Sequence, residues 1–196
     1  MISRLRKLIK PLSLKVGTWL GRHGIEPNTL TLLGLLMSIL VPVSVYYSLL
    51  VVGLALVVLS ATLDYLDGAV AKALNKSSSF GAFLDSFSDR VSDFCYSIAL
   101  WLAGINALYI MLYITTSYLI SYVRARAESL GVRLEGVGIM ERGERTLIII
   151  AIFTIIAATG SLIIPTYIII GMIALNIITI IQRVYYTFRG LSRNEQ

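Results

Sequence analysis

Charge is scarce in this sequence. Only 14% of its 196 residues are Asp, Glu, Lys or Arg, while 57% are hydrophobic; soluble domains carry about 25% charged residues. That shortage excludes a disordered chain and a soluble globular domain. Cysteine is nearly absent. The single Cys95 lies inside an apolar run, which excludes an intramolecular disulfide framework and a cysteine-based metal site. His23 is the one histidine, so nothing suggests zinc. No internal repeat and no low-complexity linker divides the chain, and one domain is expected. What the sequence has instead is long apolar runs, and a bilayer is the expected solvent. A spanning helix needs about 20 apolar residues, which leaves little chain for anything outside the membrane. The net charge of +6 points to anionic lipid head groups or phosphates, and no nucleic acid partner is expected.

The expected fold is an all-α integral membrane protein of six transmembrane helices preceded by an N-terminal amphipathic interfacial helix. Residues 1–22 carry Arg4, Arg6, Lys7, Lys10, Lys15 and Arg22 among apolar residues at helical spacing, interrupted by Pro11. This reads as a basic amphipathic juxtamembrane helix and not as a cleavable signal peptide. Asn28 is expected to cap the helix that follows. The apolar runs place spans at about 29–48, 51–74, 80–103, 105–128, 144–160 and 164–188. The domain expectation is therefore 1–22 juxtamembrane, 27–190 six-helix domain and 191–196 cytoplasmic tail. Charge fixes the topology. Three connections, near Tyr47-Ser48, Gly104-Ile105-Asn106 and Thr159-Gly160-Ser161, contain no charged residue, and all 17 Lys and Arg fall on the opposite side or in adjoining helix ends. By the positive-inside rule that side, with both termini and the active site, is cytoplasmic, and the membrane is the cell (inner) membrane.

Acidic residues crowd the same side. Asp64 and Asp67 are spaced i, i+3, and Asp85, Asp89 and Asp93 are spaced i, i+4, i+8, so each set shares one helix face. A carboxylate at the bilayer centre costs about 2.5–3.5 kcal/mol, and facing carboxylates repel unless protonated or bridged by cations. Lys72, Lys76 and Arg90 are the cations nearby in sequence. A divalent metal resolves the conflict more simply, and oxygen ligands suit Mg²⁺, Mn²⁺ or Ca²⁺. Solvated or mutually bonded acids at a helix mouth are the plainer alternative. Gly68, Ala71 and Gly81 interleave with the acids; small side chains there let a flat ligand lie against backbone, or let helices pack closely.

The run Asp64-Tyr-Leu-Asp67-Gly68-Ala-Val-Ala71-Lys72, followed by Gly81, Asp85 and Asp89, resembles the signature of the CDP-alcohol phosphotransferases, DxxDGxxAR…GxxxDxxxD. One position departs: Lys72 stands where the family has Arg, which retains charge and loses the bidentate fork. The resemblance implies a lipid-biosynthetic transferase that passes the phosphatidyl-type group of a CDP-linked lipid to an alcohol and releases CMP. It implies two Mg²⁺ or Mn²⁺ ions held by Asp64, Asp67, Asp85 and Asp89, with Asp89 also the catalytic base. It implies a nucleotide pocket of Asn28, Thr31, Gly68, Ala71, Lys72 and Gly81, and a homodimer. Asp93 lies outside the signature.

A second cluster bears on the alcohol. Ser121-Tyr122-Val123-Arg124-Ala125-Arg126-Ala127-Glu128, then Glu141-Arg142-Gly143-Glu144-Arg145, then Arg183, concentrate arginine on the predicted cytoplasmic side. Arginine grips phosphate in a fork, so a phosphorylated acceptor is expected; head-group anchoring and surface ion pairs are the alternatives. The stretch resembles the SYVKARAE…ERPER region of the prokaryotic phosphatidylinositol-phosphate synthase branch and its archaeal ether-lipid counterparts, with Arg124 for Lys and Gly143 for Pro. That likeness implies inositol 1-phosphate as acceptor, bound by Ser121, Tyr122, Arg124, Arg126, Arg142, Arg145 and Arg183, with CDP-diacylglycerol or CDP-archaeol as donor. Glycerol 3-phosphate is the competing acceptor. A cation transporter would place its acids at the bilayer midplane between repeats, and a membrane prenyltransferase would spread its aspartates over distant helices; neither pattern is present.

Overall fold

The structure, a computed structural model, describes residues 13–76 and 78–194. All regular elements among these are helices. In order they are α1 (13–22), α2 (Pro27–Tyr46), α3 (Leu50–Ala73), α4 (Ser79–Leu102), α5 (Ala107–Ser129), α6 (Arg142–Thr159) and α7 (Ile163–Asn194). They group into two compact units, one ending at Leu102 and the other starting at Ala103. Residues 1–12 of the expected amphipathic segment lie outside the described part; α1 is its remainder.

Each predicted span coincides with a helix. Where the elements begin and end has local causes. Pro27 opens α2 at its first position, where a missing N–H costs nothing. This corrects the expectation for Asn28: Glu26 holds the capping position with no side-chain cap, and Asn28 sits one residue inside the helix. Ser48 takes a left-handed φ of 61° in the turn from α2 to α3. Asn106 caps α5 by accepting from Leu108 N at 2.9 Å. Gly160 closes α6 in the left-handed conformation, which glycine adopts without steric cost. Helix α7 runs on to Asn194, past the expected end of its span.

Among the described residues three helices are long and apolar enough to cross a membrane by themselves: α2, α3 and residues Ile163–Ser192 of α7. The other three long helices carry more polar and charged residues. Apolar side chains such as Leu36, Val43, Val51, Leu112, Ile164 and Ile177 point outward, a pattern that is an aggregation liability in water.

In the first unit α2 packs along both α3 and α4. Its buried stripe is small: Gly34, Ser38, Val41 and Val45. A Cβ on Gly34 would lie 3.3 Å from Ser60 O, so the α2 and α3 backbones approach closely there. Ser60 Oγ donates to Gly34 O at 2.7 Å, and Tyr96 of α4 donates to Ser60 Oγ at 2.9 Å. Three helices are thereby pinned by one buried relay. Helix α1 rests on α3 through Gly17, where a Cβ would come within 2.8 Å of the Ala69 carbonyl.

In the second unit α7 packs against α5 and α6. Asn176 of α7, fully buried, donates to both Thr116 Oγ1 and Ser117 Oγ of α5 at 3.1 Å.

Candidate metal and nucleotide site

Helical spacing puts Asp64 and Asp67 on one face of α3's last turns and Asp85 on the second turn of α4. Packing against α2 brings the three together. One carboxylate oxygen from each lies within 4.8 Å of the others, a grouping suited to a metal ion. Asp67 is buried, and Asp64 and Asp85 are half-buried. An all-oxygen, acid-rich donor set fits Mg²⁺ or Mn²⁺. Thr31, buried near the start of α2, donates its hydroxyl to Asp67 Oδ2. One carboxylate oxygen is therefore oriented by a neighbouring helix, as metal-binding carboxylates commonly are.

The fourth predicted ligand stands apart. Asp89 lies one turn further along α4, outside the group of three, and its Oδ2 is 3.2 Å from Arg90 Nη1. Arg90 also donates to Ser86 O at 2.9 Å, which holds the guanidinium against its own helix. Lys76, considered above as a cation for the acids, instead pairs with Glu26 at 3.7 Å. Asp93, a further turn on, is buried.

The predicted nucleotide residues gather around the same place. Gly81 begins α4 beside the start of α2: a Cβ there would meet Asn28 Oδ1 at 3.2 Å and Ser78 Oγ at 3.0 Å. Ser78 Oγ accepts from Gly81 N at 2.9 Å and ends the connection from α3. Gly68 faces open space, with no atom within 4 Å of where a Cβ would project. A ligand could reach the α3 backbone at that point. Ala71 is half-buried and Lys72 exposed on the following turn.

The predicted acceptor residues all belong to the second unit and differ sharply in environment. Tyr122 and Arg126 are exposed. Arg124 is half-buried and pairs with Glu128 at 2.9 Å. Ser121 Oγ donates to Ser117 O at 3.3 Å. Arg142 is half-buried, while Arg145 and Arg183 are only 2% and 3% exposed. Arg183 donates from Nε to Val137 O at 2.9 Å and from Nη1 to Ile120 O at 2.8 Å. Much of its donor capacity thus ties backbone together, a use no sequence pattern signals.

Residues 25–184 match the CDP-alcohol phosphatidyltransferase family. The chain belongs to that family. It is a transferase enzyme and a membrane protein. Among its relatives, the archaetidylinositol phosphate synthase of Pyrococcus horikoshii is 37% identical over 186 residues, spanning 94% of this chain and 95% of the relative. That of Aeropyrum pernix is 38% identical over 157 residues, spanning 79% and 80%. Among solved structures, the phosphatidylinositol phosphate synthase of Mycobacterium tuberculosis in complex with manganese and citrate superposes with a TM-score of 0.77 at 27% identity, covering 90% of this chain and 88% of the other. The same enzyme with CDP-DAG bound gives 0.77 at 27% identity, covering 91% and 94%.

Two contributions were invisible in the sequence pattern. Thr31, a predicted nucleotide residue, also donates to Asp67, because α2 threads beside α3. Gly17 was one glycine among 15, yet its missing side chain is what lets α1 lie on the Ala69–Val70 backbone, two residues beyond Asp67.

Proposed function

We propose that this enzyme transfers the lipid-phosphate group of CDP-archaeol or CDP-diacylglycerol to inositol 1-phosphate and releases CMP. The single observation that carries the reading is the convergence of Asp64, Asp67 and Asp85 beside the Asn28–Gly81 contact, within a chain whose relatives are archaetidylinositol phosphate synthases.

The roles follow from chemistry. Asp64, Asp67 and Asp85 hold divalent metal, with Asp89 adjoining a second ion. Bound metal neutralises the diphosphate and stabilises the leaving CMP. Asn28, Thr31, Gly68, Ala71, Lys72 and Gly81 surround the nucleotide, Gly68 by leaving its backbone open and Lys72 by offering a charge to phosphate. Asp89 accepts the proton of the acceptor hydroxyl. The hydroxyl oxygen forms a bond to the lipid-side phosphorus, the bond from that phosphorus to CMP breaks, and CMP departs with the electron pair. Ser121, Tyr122, Arg124, Arg126, Arg142, Arg145 and Arg183 bind the acceptor's phosphate.

All six helices α2–α7 cross the cell membrane, and the N-terminal segment to residue 22 lies on its surface. Lengths of 24, 23 and 18 residues for α4, α5 and α6 support this, since about 17–25 residues span a bilayer. The uncharged connections near residues 47–49, 103–106 and 160–162 support a cytoplasmic site on the opposite side. Residues 27–190 form the catalytic domain, which acts as a homodimer.

The test is CMP release from labelled CDP-lipid by the purified protein, with a panel of acceptors and with or without chelator. Inositol 1-phosphate is expected to support turnover, and chelator to abolish it. Turnover with glycerol 3-phosphate and none with inositol 1-phosphate would overturn the acceptor; turnover that survives chelation would overturn the metal role.

A further inference from the structure

The segment 130–141 joining α5 to α6 is laid against one face of α7. Its anchors on α7 are Gly190, Arg183 and Thr179, which share a helical face at spacings of seven and four. A Cβ on Gly190 would meet Val132 Cγ1 at 2.8 Å. Arg183 Nε donates to Val137 O. Thr179 Oγ1 accepts from both Ile139 N at 3.3 Å and Met140 N at 3.1 Å, and itself donates to Leu175 O at 2.9 Å. The segment therefore runs antiparallel to α7 as a strap, and Leu134 and Met140 are buried beneath it.

The tightest point is Gly138. Its φ is +112°, a region L side chains avoid, and a Cβ there would come within 2.4 Å of Thr179 Cγ2. Thr179 has no exposed surface. It serves both as acceptor for two backbone amides and as the wall against which glycine is required. Immediately afterwards Glu141 holds the N-cap position of α6 without a side-chain cap bond, and the first turn carries Arg142 and Arg145. Arg145 Nη1 reaches back to Met140 O at 3.5 Å. The pair Thr179–Gly138 is thus the last fixed point before the acceptor arginines.

We propose that Thr179 and Gly138 are positioning residues for acceptor binding: they set where the strap ends and hence where Arg142 and Arg145 are presented. This rests on the acceptor reading above. Neither residue touches substrate; both act through the strap. A misplacement of about 1 Å at a reacting or binding group costs on the order of a hundredfold, so a partial shift of the strap is expected to weaken acceptor binding about tenfold or more.

The test compares Thr179→Val, Thr179→Ser and Arg145→Ala in the full chain, with KM measured separately for inositol 1-phosphate and CDP-lipid. Thr179→Val keeps shape but removes the acceptor of two amides. It is expected to raise the inositol 1-phosphate KM about tenfold or more, with the CDP-lipid KM unchanged and Thr179→Ser near wild type. Amide hydrogen exchange of the unmodified protein gives a readout that needs no variant: Ile139 and Met140 are expected to exchange as slowly as the core of α7. An unchanged acceptor KM, an equal rise in both KM values, or fast exchange at Ile139 and Met140 overturns the proposal. If Arg145→Ala raises the acceptor KM and Thr179→Val does not, the positioning role fails and the acceptor reading stands. If neither does, the acceptor reading falls and takes the positioning role with it.

Discussion

Deleting the Tyr96 hydroxyl tests how α2, α3 and α4 are held in the register that assembles the carboxylates. Tyr96, 2% exposed, donates to Ser60 Oγ at 2.9 Å, and Ser60, 3% exposed, donates to Gly34 O at 2.7 Å. Ser60 lies one turn before Asp64. Tyr96→Phe removes the bond to Ser60 and leaves Ser60 still donating to Gly34 O, so it should cost roughly 0.5–1.5 kcal/mol. Ser60→Ala removes both bonds, the one accepted from Tyr96 and the one donated to Gly34 O, so about 1–3 kcal/mol is expected. Both single variants lose the same Tyr96–Ser60 bond, so in the double variant the two costs should not add. Hydrogen bonds between membrane helices couple by about 0.6 kcal/mol on average and up to about 1.7, which sets the expected coupling. Reversible unfolding in mixed micelles, followed by circular dichroism, measures all four corners of the cycle. Metal activation of CMP release should weaken in the order Tyr96→Phe, then Ser60→Ala. Additive costs within about 0.3 kcal/mol, or a larger loss for Tyr96→Phe than for Ser60→Ala, would refute the relay.

Three further outcomes are expected. Asp85→Ala opens the three-carboxylate group; the metal concentration for half-maximal CMP release should rise about tenfold or more, since one charge-assisted ligand is lost, and unchanged metal titration would contradict the grouping. Asp89→Asn should abolish transfer, a loss of about 10²–10⁴ if it is the base, while equilibrium binding of manganese and CDP-lipid partly survives; preserved turnover would remove it from that role. Gly17→Ala brings a methyl within 2.8 Å of the Ala69 carbonyl, and backbone cannot yield as a flexible side chain would. An overpacking cost of about 1–3 kcal/mol, offset by about 1 kcal/mol of helix propensity, predicts a small drop in melting temperature. The shift at Ala69 should also raise the CDP-lipid KM, whereas Gly171→Ala, in α7 with open space around its new methyl and no left-handed φ, should leave that KM alone.

Legibility differed by residue. The aspartates could be assigned to shared faces because the separations 64–67 and 85–89 are helical separations, and a helix repeats every 3.6 residues whatever surrounds it. Arg183 reads as a phosphate-binding cation, and nothing in the sequence signals that its guanidinium also binds the Val137 and Ile120 carbonyls. Asn28 reads as a cap because its side chain can cap, but Pro27 starts α2 two residues earlier than that and Asn28 lies beside Gly81 instead.

The one-dimensional code therefore settled the helices, the apolar bulk and the acidic signature, all of which depend on neighbours within a turn or on composition. Tertiary packing alone decided that three carboxylates meet, that Thr31 from another helix orients Asp67, and that the strap from Val132 to Met140 is fastened along α7. Those outcomes depend on interaxial distance and rotation, which small residues such as Gly17, Gly34 and Gly138 set by what they leave out, and an omitted side chain carries no periodic mark in the sequence.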